Sequence, residues 1–142
     1  EKNAGSCFGA AIRGGDLICK GSVGARTGID MKGGTIIVGG DAGAFTAFMM
    51  QRGRIIILGD VGPNLGDSMY DGTIYVGGNI KSCGADAVEG EVTELDLAWL
   101  KRKLKVSEID KKVDLSKMKK IVSGKKLWNY DNLEPTERKD AL

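Results

Sequence analysis

The sequence predicts an all-β protein: a parallel β-helix of 19-residue rungs, followed by an α-helical appendage. Three observations carry this. Glycine recurs every nineteen residues at Gly15, Gly34, Gly53 and Gly72, and again at Gly21, Gly40, Gly59 and Gly78. The residues between them recur too: Leu17, Ile36, Ile55 and Ile74, then Cys19, Val38, Ile57 and Val76. The composition then changes abruptly: of 22 Gly only Gly124 lies after residue 90, while 13 of the 21 Lys and Arg do. A period near 20 residues marks a stacked solenoid, in which one rung cannot bury its apolar face alone.

Each rung begins with a short strand. Leu17-Ile18-Cys19, Ile36-Ile37-Val38 and Ile55-Ile56-Ile57 are followed at once by Gly turns such as Gly40-Asp41, Gly59-Asp60 and Gly78-Asn79. Equivalent strands at constant period must lie parallel and in register, one rung apart, which a β-helix satisfies. Period-two alternation turns the 17/36/55/74 and 19/38/57/76 columns inward. The columns Val23, Ala42, Val61, Ile80 and Met31, Met50, Met69, Val88 join them. Each fully buried Ile or Val contributes roughly 1.5–3 kcal/mol, so four per rung make an adequate core. Glycine marks corners that need positive φ or close backbone approach. Gly28 and Gly66 alternate there with Ala47 and Ala85, so this corner tolerates a methyl group.

One column breaks the alternation. Ile18, Ile37, Ile56 and Tyr75 sit between two inward columns and form an outward apolar stripe. Such a stripe is covered either by the chain's own C-terminal part or by a partner. At the other end, Gly5, Gly9 and Ile12 stand nineteen before Gly24, Gly28 and Met31, so the chain enters in mid-rung. No N-terminal cap is visible, and the expectation is that another protein or upstream rungs supply it.

After residue 90 the pattern becomes helical, dividing the chain into a β-helix at 1–90 and an extension at 91–142. Thr93 caps a helix with Glu94 and Asp96 in its first turn and Lys101, Arg102 and Lys103 in its last. Leu95, Leu97, Ala98, Trp99, Leu100 and Leu104 give it a broad apolar face, to cap the last rung or cover the stripe. A second, shorter helix is expected around Leu115–Val122, ended by Gly124. Lys117, Lys119, Lys120, Lys125 and Lys126 form a basic cluster, expected to be a solvated face. Leu127, Trp128 and Tyr130 are too apolar for a free tail and are expected to dock.

Little in the chain points to chemistry. It has no His, which excludes Ser/His/Asp and Cys/His arrangements and any His-ligated metal. It also argues against a hexapeptide-repeat acyltransferase, whose six-residue subperiod is missing too. Gly21-Gly24-Gly28 does not have the GxGxxG spacing. Ser22, Asp41, Asp60 and Asn79 share a turn column in which side chains bond nearby amides. Asp67, Asp71 and Asp86 form no acid–base pair. Cys19 is a small core residue, while Cys7 and Cys83 share a column four rungs apart, roughly 19 Å, beyond disulfide reach. No catalytic, cofactor-binding or metal-ligating residue is therefore expected. A net charge of +2 is too small for a nucleic-acid binder. No stretch is long enough to span a membrane, and reduced thiols fit a cytoplasmic protein.

Gly33-Gly34-Thr35-Ile36-Ile37-Val38-Gly39-Gly40-Asp41-Ala42-Gly43, followed by Met49-Met50, forms a specific pattern. So do Gly59-Asp60-Val61-Gly62 and Leu65-Gly66-Asp67-Ser68-Met69-Tyr70-Asp71-Gly72-Thr73-Ile74-Tyr75-Val76-Gly77-Gly78. Together they resemble the GXGXG domain at the C-terminal end of the glutamate synthase large subunit. The likeness is strongest to its free-standing form, as in archaeal-type glutamate synthase and N-methylglutamate synthase. The resemblance spans residues 5–90, and Lys125-Lys126-Leu127-Trp128-Asn129-Tyr130 resembles that family's tail less distinctively. It implies a right-handed parallel β-helix without catalytic residues. This would be a scaffold for a glutamine amidotransferase-type subunit and an FMN- and iron–sulfur-bearing glutamate synthase subunit. The family's longer upstream β-helix is not matched. Self-association through the β-helix ends or the outward stripe is a further expectation. A formylmethanofuran dehydrogenase-type complex, one component of which shares the repeat, is the alternative. The Gly66–Tyr75 stretch favours the glutamate synthase reading.

Overall fold

The computed structural model describes residues 3–109 and 113–124. Four short parallel strands start successive rungs: β1 (Asp16–Cys19), β2 (Lys32–Val38), β3 (Arg52–Ile57) and β4 (Thr73–Val76). Two further strands, β5 (Ala87–Gly90) and β6 (Lys119–Ser123), flank a helix, α1 (Glu94–Val106), and a 3-10 turn at Leu115–Lys117. The strand order is β1-β2-β3-β4-β6-β5. The register is that of the repeat: Leu17, Ile36, Ile55 and Ile74 pair in sequence, as do Cys19, Val38, Ile57 and Val76. A second wall is tied by bridges from Ala42 to Val61 and from Val61 to Ile80. The fold is thus a β-solenoid of about three turns with 19-residue spacing.

The core follows the columns. Ile36, Ile55, Ile74, Val38, Ile57, Val76, Met31, Met50 and Met69 are fully buried, with Cys19, Val23, Ala42 and Val61 nearly so. Stacking like on like lets each side chain pack against its copies above and below at one spacing. Gly53 and Gly72 have φ of 106° and 103°, a region open to glycine, and a side chain at Gly72 would also strike the Met50 terminal methyl group. Gly59 has a different reason. A Cβ there would lie 2.6 Å from the Gly40 carbonyl oxygen.

The third corner of each rung is a turn in which alternate residues are left-handed. Arg26, Gly28 and Asp30 have φ of 58°, 71° and 55°; Phe45, Ala47 and Met49 have 57°, 64° and 56°. Ala47 thus takes the glycine position with its methyl group buried. The alternation sends amides to both neighbouring rungs: Asp30 N–H to Phe48 O (2.9 Å) and Gly28 N–H to Phe8 O (2.8 Å).

The last rung departs from the period. Val61 bridges Ile80 nineteen residues on, but Leu65 bridges Cys83 only eighteen on. The rung is one residue short, between Ile80 and Cys83, and three expectations shift with it. Ala87, not Val88, packs against the core, and Val88 is 38 % exposed. Ala85 accepts from Ser68 N–H as Asp67 does from Met49 N–H, so Ala85 continues the Asp67 column and not that of Gly66. Cys83 leaves the Cys7 column, and both thiols are exposed and free.

The expected helix at Leu115–Val122 is not formed. Its first residues make one 3-10 turn, and Lys119–Ser123 is the strand β6, antiparallel to both β4 and β5. Local propensity is overridden by the open edge of β4, whose backbone groups β6 satisfies while Ile121 enters the core. Residues 91–124 therefore include a strand of the same sheet as the rungs. Lys125, Lys126, Leu127, Trp128 and Tyr130 lie outside the described residues.

Candidate functional site

The polar column at the first corner is a continuous ladder. Asn3 Oδ1 accepts from Ser22 N–H (2.8 Å), Ser22 Oγ from Asp41 N–H (2.9 Å), Asp41 Oδ1 from Asp60 N–H (2.7 Å) and Asp60 Oδ1 from Asn79 N–H (2.8 Å). Each bond crosses nineteen residues to the next rung. The side chains therefore join rungs, where the sequence reading had them stabilise their own turns. Asn3 was missed, although it stands nineteen before Ser22.

Other acids also have partners within the chain. Asp71 accepts from Gly72 N–H (2.7 Å), Asp67 from Ser68 Oγ (3.2 Å) and Asp16 from Lys103 Nζ (3.0 Å). Asp114 caps the 3-10 turn through Ser116, whose hydrogen bonds lower its carboxyl pKa. Burial, and then the nearby Glu89, push the Cys83 thiol up, away from a reactive thiolate. A recess of ≈ 410 Å³ is lined by Arg52, Gly53, Arg54, Asp71 and Gly72. It contains no nucleophile beside a base, and its Arg54 guanidinium lies 4.4 Å over the Trp99 ring. No group of three or more metal-ligating side chains converges among the described residues.

The outward stripe lies at a clasp formed by the chain itself. Ile37, Ile56 and Tyr75 are at most 1 % exposed, clustered with Leu58, Leu100 and Met118 and flanked by Trp99, Leu104 and Leu115. Of the two coverings the sequence left open, the chain's own α1 and the 3-10 turn cover these three. They are therefore not available as a self-association surface, while Ile18 remains 38 % exposed. The apolar face of α1 is narrower than expected: Leu95 is 83 % exposed and Ala98 is also exposed. The cap is as predicted. Thr93 Oγ1 accepts from Asp96 N–H, and Asp96 returns to Thr93 N–H.

Asp96 is also the centre of the clasp. It accepts from Tyr75 Oη (2.6 Å), Lys120 Nζ (2.9 Å), Thr93 N–H (2.8 Å) and Thr93 Oγ1 (2.9 Å). Burial by itself would raise its pKa. The bonds from the Thr93 backbone, Tyr75, Lys120 and the Thr93 hydroxyl outweigh that and hold it well below the usual carboxylate range. Tyr75 moves the other way, far above an ordinary phenol. Burial is the first cause and the bond to anionic Asp96 the second. One rung residue, α1 and β6 thus meet on one carboxylate.

β6 closes the last rung with side chains as well as backbone. The Gly21, Gly40 and Gly59 carbonyls each accept the amide of the next rung's glycine; Gly78, with no next rung, accepts Lys119 Nζ at 2.6 Å. The Met31 and Met50 carbonyls accept Gln51 and Tyr70 N–H, and Met69 O accepts Ser123 Oγ at 3.0 Å. Lys119 and Lys120 are therefore pinned, whereas the basic cluster was expected to be solvated. The signal missed was the period-two spacing of Lys119, Ile121 and Ser123, with Lys120 and Val122 between them, which suits a strand.

No helix among the described residues is long and apolar enough to cross a membrane. No curated protein matches the chain at a significant level. The GXGXG motif family model matches residues 4–131, which is most of the chain and includes both the rungs and the clasp. The chain belongs to the GXGXG motif family, which is associated with glutamate synthase-type proteins.

Proposed function

We propose that this chain is a non-catalytic scaffold, a subunit or domain of a glutamate synthase-like complex. It holds a glutaminase unit and a flavin-dependent synthase unit in position for the transfer of glutamine-derived nitrogen into glutamate. FMN and the iron–sulfur cluster belong to the partner synthase subunit, and this chain supplies no ligand to either. One observation supports the reading above all: the acids that draw the eye are engaged in joining rungs or closing the clasp. A rigid stack with such bonds is suited to fixing distances between partners, because its rungs repeat at a constant rise.

Co-purification from the source cell, followed by mass spectrometry, tests the proposal. An amidotransferase-type subunit and an FMN-binding synthase subunit are expected. Recovery with molybdopterin subunits would transfer the chain to a formylmethanofuran dehydrogenase-type complex. The purified chain alone is expected to show no glutaminase and no synthase turnover. Clear activity there would overturn the scaffold reading.

A further inference from the structure

Exposed cations stand where successive rungs begin: Arg13, Lys32, Arg52 and Arg54. The strict period would set Gln51 opposite Lys32, but the register is irregular here and β3 sets Arg52 there. Met31 O accepts from both Gln51 N–H (2.8 Å) and Arg52 N–H (3.2 Å), which takes in the extra residue. Ile12 O accepts from Lys32 N–H at 2.8 Å, which places Arg13 beside Lys32. Arg13, Lys32 and Arg52 therefore lie on consecutive rungs, about 4.8 Å apart. Like charges directly opposite one another on neighbouring strands weaken their pairing. The ladder of Ser22, Asp41 and Asp60 offsets its crowding with a hydrogen bond at every rung. The ion pairs among the described residues engage Lys103 and Lys120 and none of these cations. The rungs thus carry a repulsive column that adds nothing to either buried cluster.

The column ends at the recess. Arg52 and Arg54 flank Gly53 on one rung, and Asp71 and Gly72 line it from the next. Its floor is bare backbone, because a Cβ on Gly53 would meet the Met31 terminal methyl group at 2.8 Å and one on Gly72 that of Met50 at 2.6 Å. Arg54 is held in place by its stacking over Trp99, which leaves the N–H donors at the rim of the guanidinium plane. Asp71 is the acid among the lining residues, and its Oδ1 already accepts from Gly72 N–H. Two guanidinium groups against one carboxylate leave the recess positive, and Lys32 and Arg13 extend that charge along the rungs. A planar guanidinium matches a carboxylate with two parallel N–H donors. From Arg13 to Arg52 the column spans about 10 Å, the length of roughly three extended residues.

We infer that the Arg13/Lys32/Arg52/Arg54 column docks an acidic segment of a partner protein. One carboxylate enters the recess between Arg52 and Arg54, and its neighbours face Lys32 and Arg13. The cations continue beyond the recess farther than one small anion could use, and a chain of net charge +2 lacks the concentrated basic face of a nucleic-acid binder. The inference rests on the scaffold reading and adds to it the face that a partner grips and the chemistry of the grip.

The test titrates the full chain against fluorescein-labelled hexaglutamate and follows anisotropy. Binding is expected, weakening severalfold as salt is raised. Lys32→Glu with Arg52→Glu should abolish it. Lys20→Glu with Lys81→Glu, the same change of charge on exposed residues outside the column, should leave most of it. Equal losses in the two variants would overturn the inference, since the attraction would then be diffuse. Displacement by free glutamate or inorganic phosphate as effective as by unlabelled hexaglutamate would overturn it in favour of a small-anion site. Tighter binding of oligothymidylate, lost in the same variant, would overturn it in favour of nucleic acid. Arg52→Gln should leave the denaturation midpoint unchanged or raise it, because a repulsive neighbour of Lys32 is removed. A lowered midpoint would overturn the inference by making Arg52 a support of its own rung. In co-purification, Lys32→Glu with Arg52→Glu should reduce partner recovery severalfold. Full recovery would remove this surface and leave the scaffold reading standing, whereas a native chain that recovers no partner would remove the scaffold reading itself.

Discussion

The inward columns and the outward stripe are both mainly aliphatic but are buried by different means. Ile36, Ile55 and Ile74 are buried because each rung packs its copies against its neighbours. Ile37, Ile56 and Tyr75 alternate with them on the same strands and are buried because α1, the 3-10 turn and Met118 lie over them. The first arrangement repeats, so any one rung resembles the next. The second is made once, from singular contacts: Asp96 with Tyr75 and Lys120, Arg54 with Trp99, and Asp16 with Lys103. Tyr75 shows the difference within a single column. It replaces the isoleucine of the earlier rungs where the clasp needs a hydroxyl.

The sharpest way to break this comparison is Ile37→Asp. Beneath α1 the carboxylate has no partner, and a loss on the order of 3–5 kcal/mol is expected. The same change at Ile18, which is 38 % exposed, should stay within about 0.5 kcal/mol. Equal shifts in the two denaturation midpoints would show that the cover is not what buries the stripe. Met50→Ala, in the fully buried methionine column, should cost about 2–5 kcal/mol by opening a cavity. An unchanged midpoint would reject its place in the stack.

Tyr75→Phe removes one bond to a charged acceptor, worth about 1.5–3 kcal/mol. The lower end is expected, since Lys120 and Thr93 still serve Asp96. The pH dependence follows from the two shifts. Asp96 is depressed in the folded state, so its contribution is complete above the unfolded value of about 3.9 and is lost as pH falls below it. Tyr75 is raised, so its contribution is complete below about pH 10 and is lost as pH rises beyond that. Asp96→Asn should flatten the acid limb of a stability–pH curve, and Tyr75→Phe the alkaline limb. An acid limb unaltered by Asp96→Asn would remove Asp96 from the centre of the clasp. The smallest effect belongs to the ladder. Asp41→Ala should cost about 0.5–1.5 kcal/mol, because the exposed Asp60 amide can turn to water. A larger loss by chemical denaturation would mean that the rungs depend on the ladder more than on their core.

How much could be read in advance depended on how often each residue type recurs. The inward columns were legible because four near-identical copies state one environment four times. Thr93 and its helix were legible because capping is local. The β6 strand was not: Lys119–Ser123 has lysines and a nearby Gly124 that also suit a helix end. What decides for strand is the unpaired edge of β4, more than forty residues earlier. The short last rung was missed for a related reason. One residue lost between Ile80 and Cys83 leaves the glycine spacing up to Gly78 intact, and only the bridge from Leu65 to Cys83 reveals it.

The rungs up to Gly78, their register and their buried columns therefore follow from the order of residues alone, because a repeated unit stacked on itself has one geometry that satisfies every copy. The covering of the stripe, the closing of the last rung and the pinning of Lys119 and Lys120 depend on the folded chain. Each is a single meeting of segments distant in sequence, in which an open edge or an unpaired carbonyl selects its partner by position.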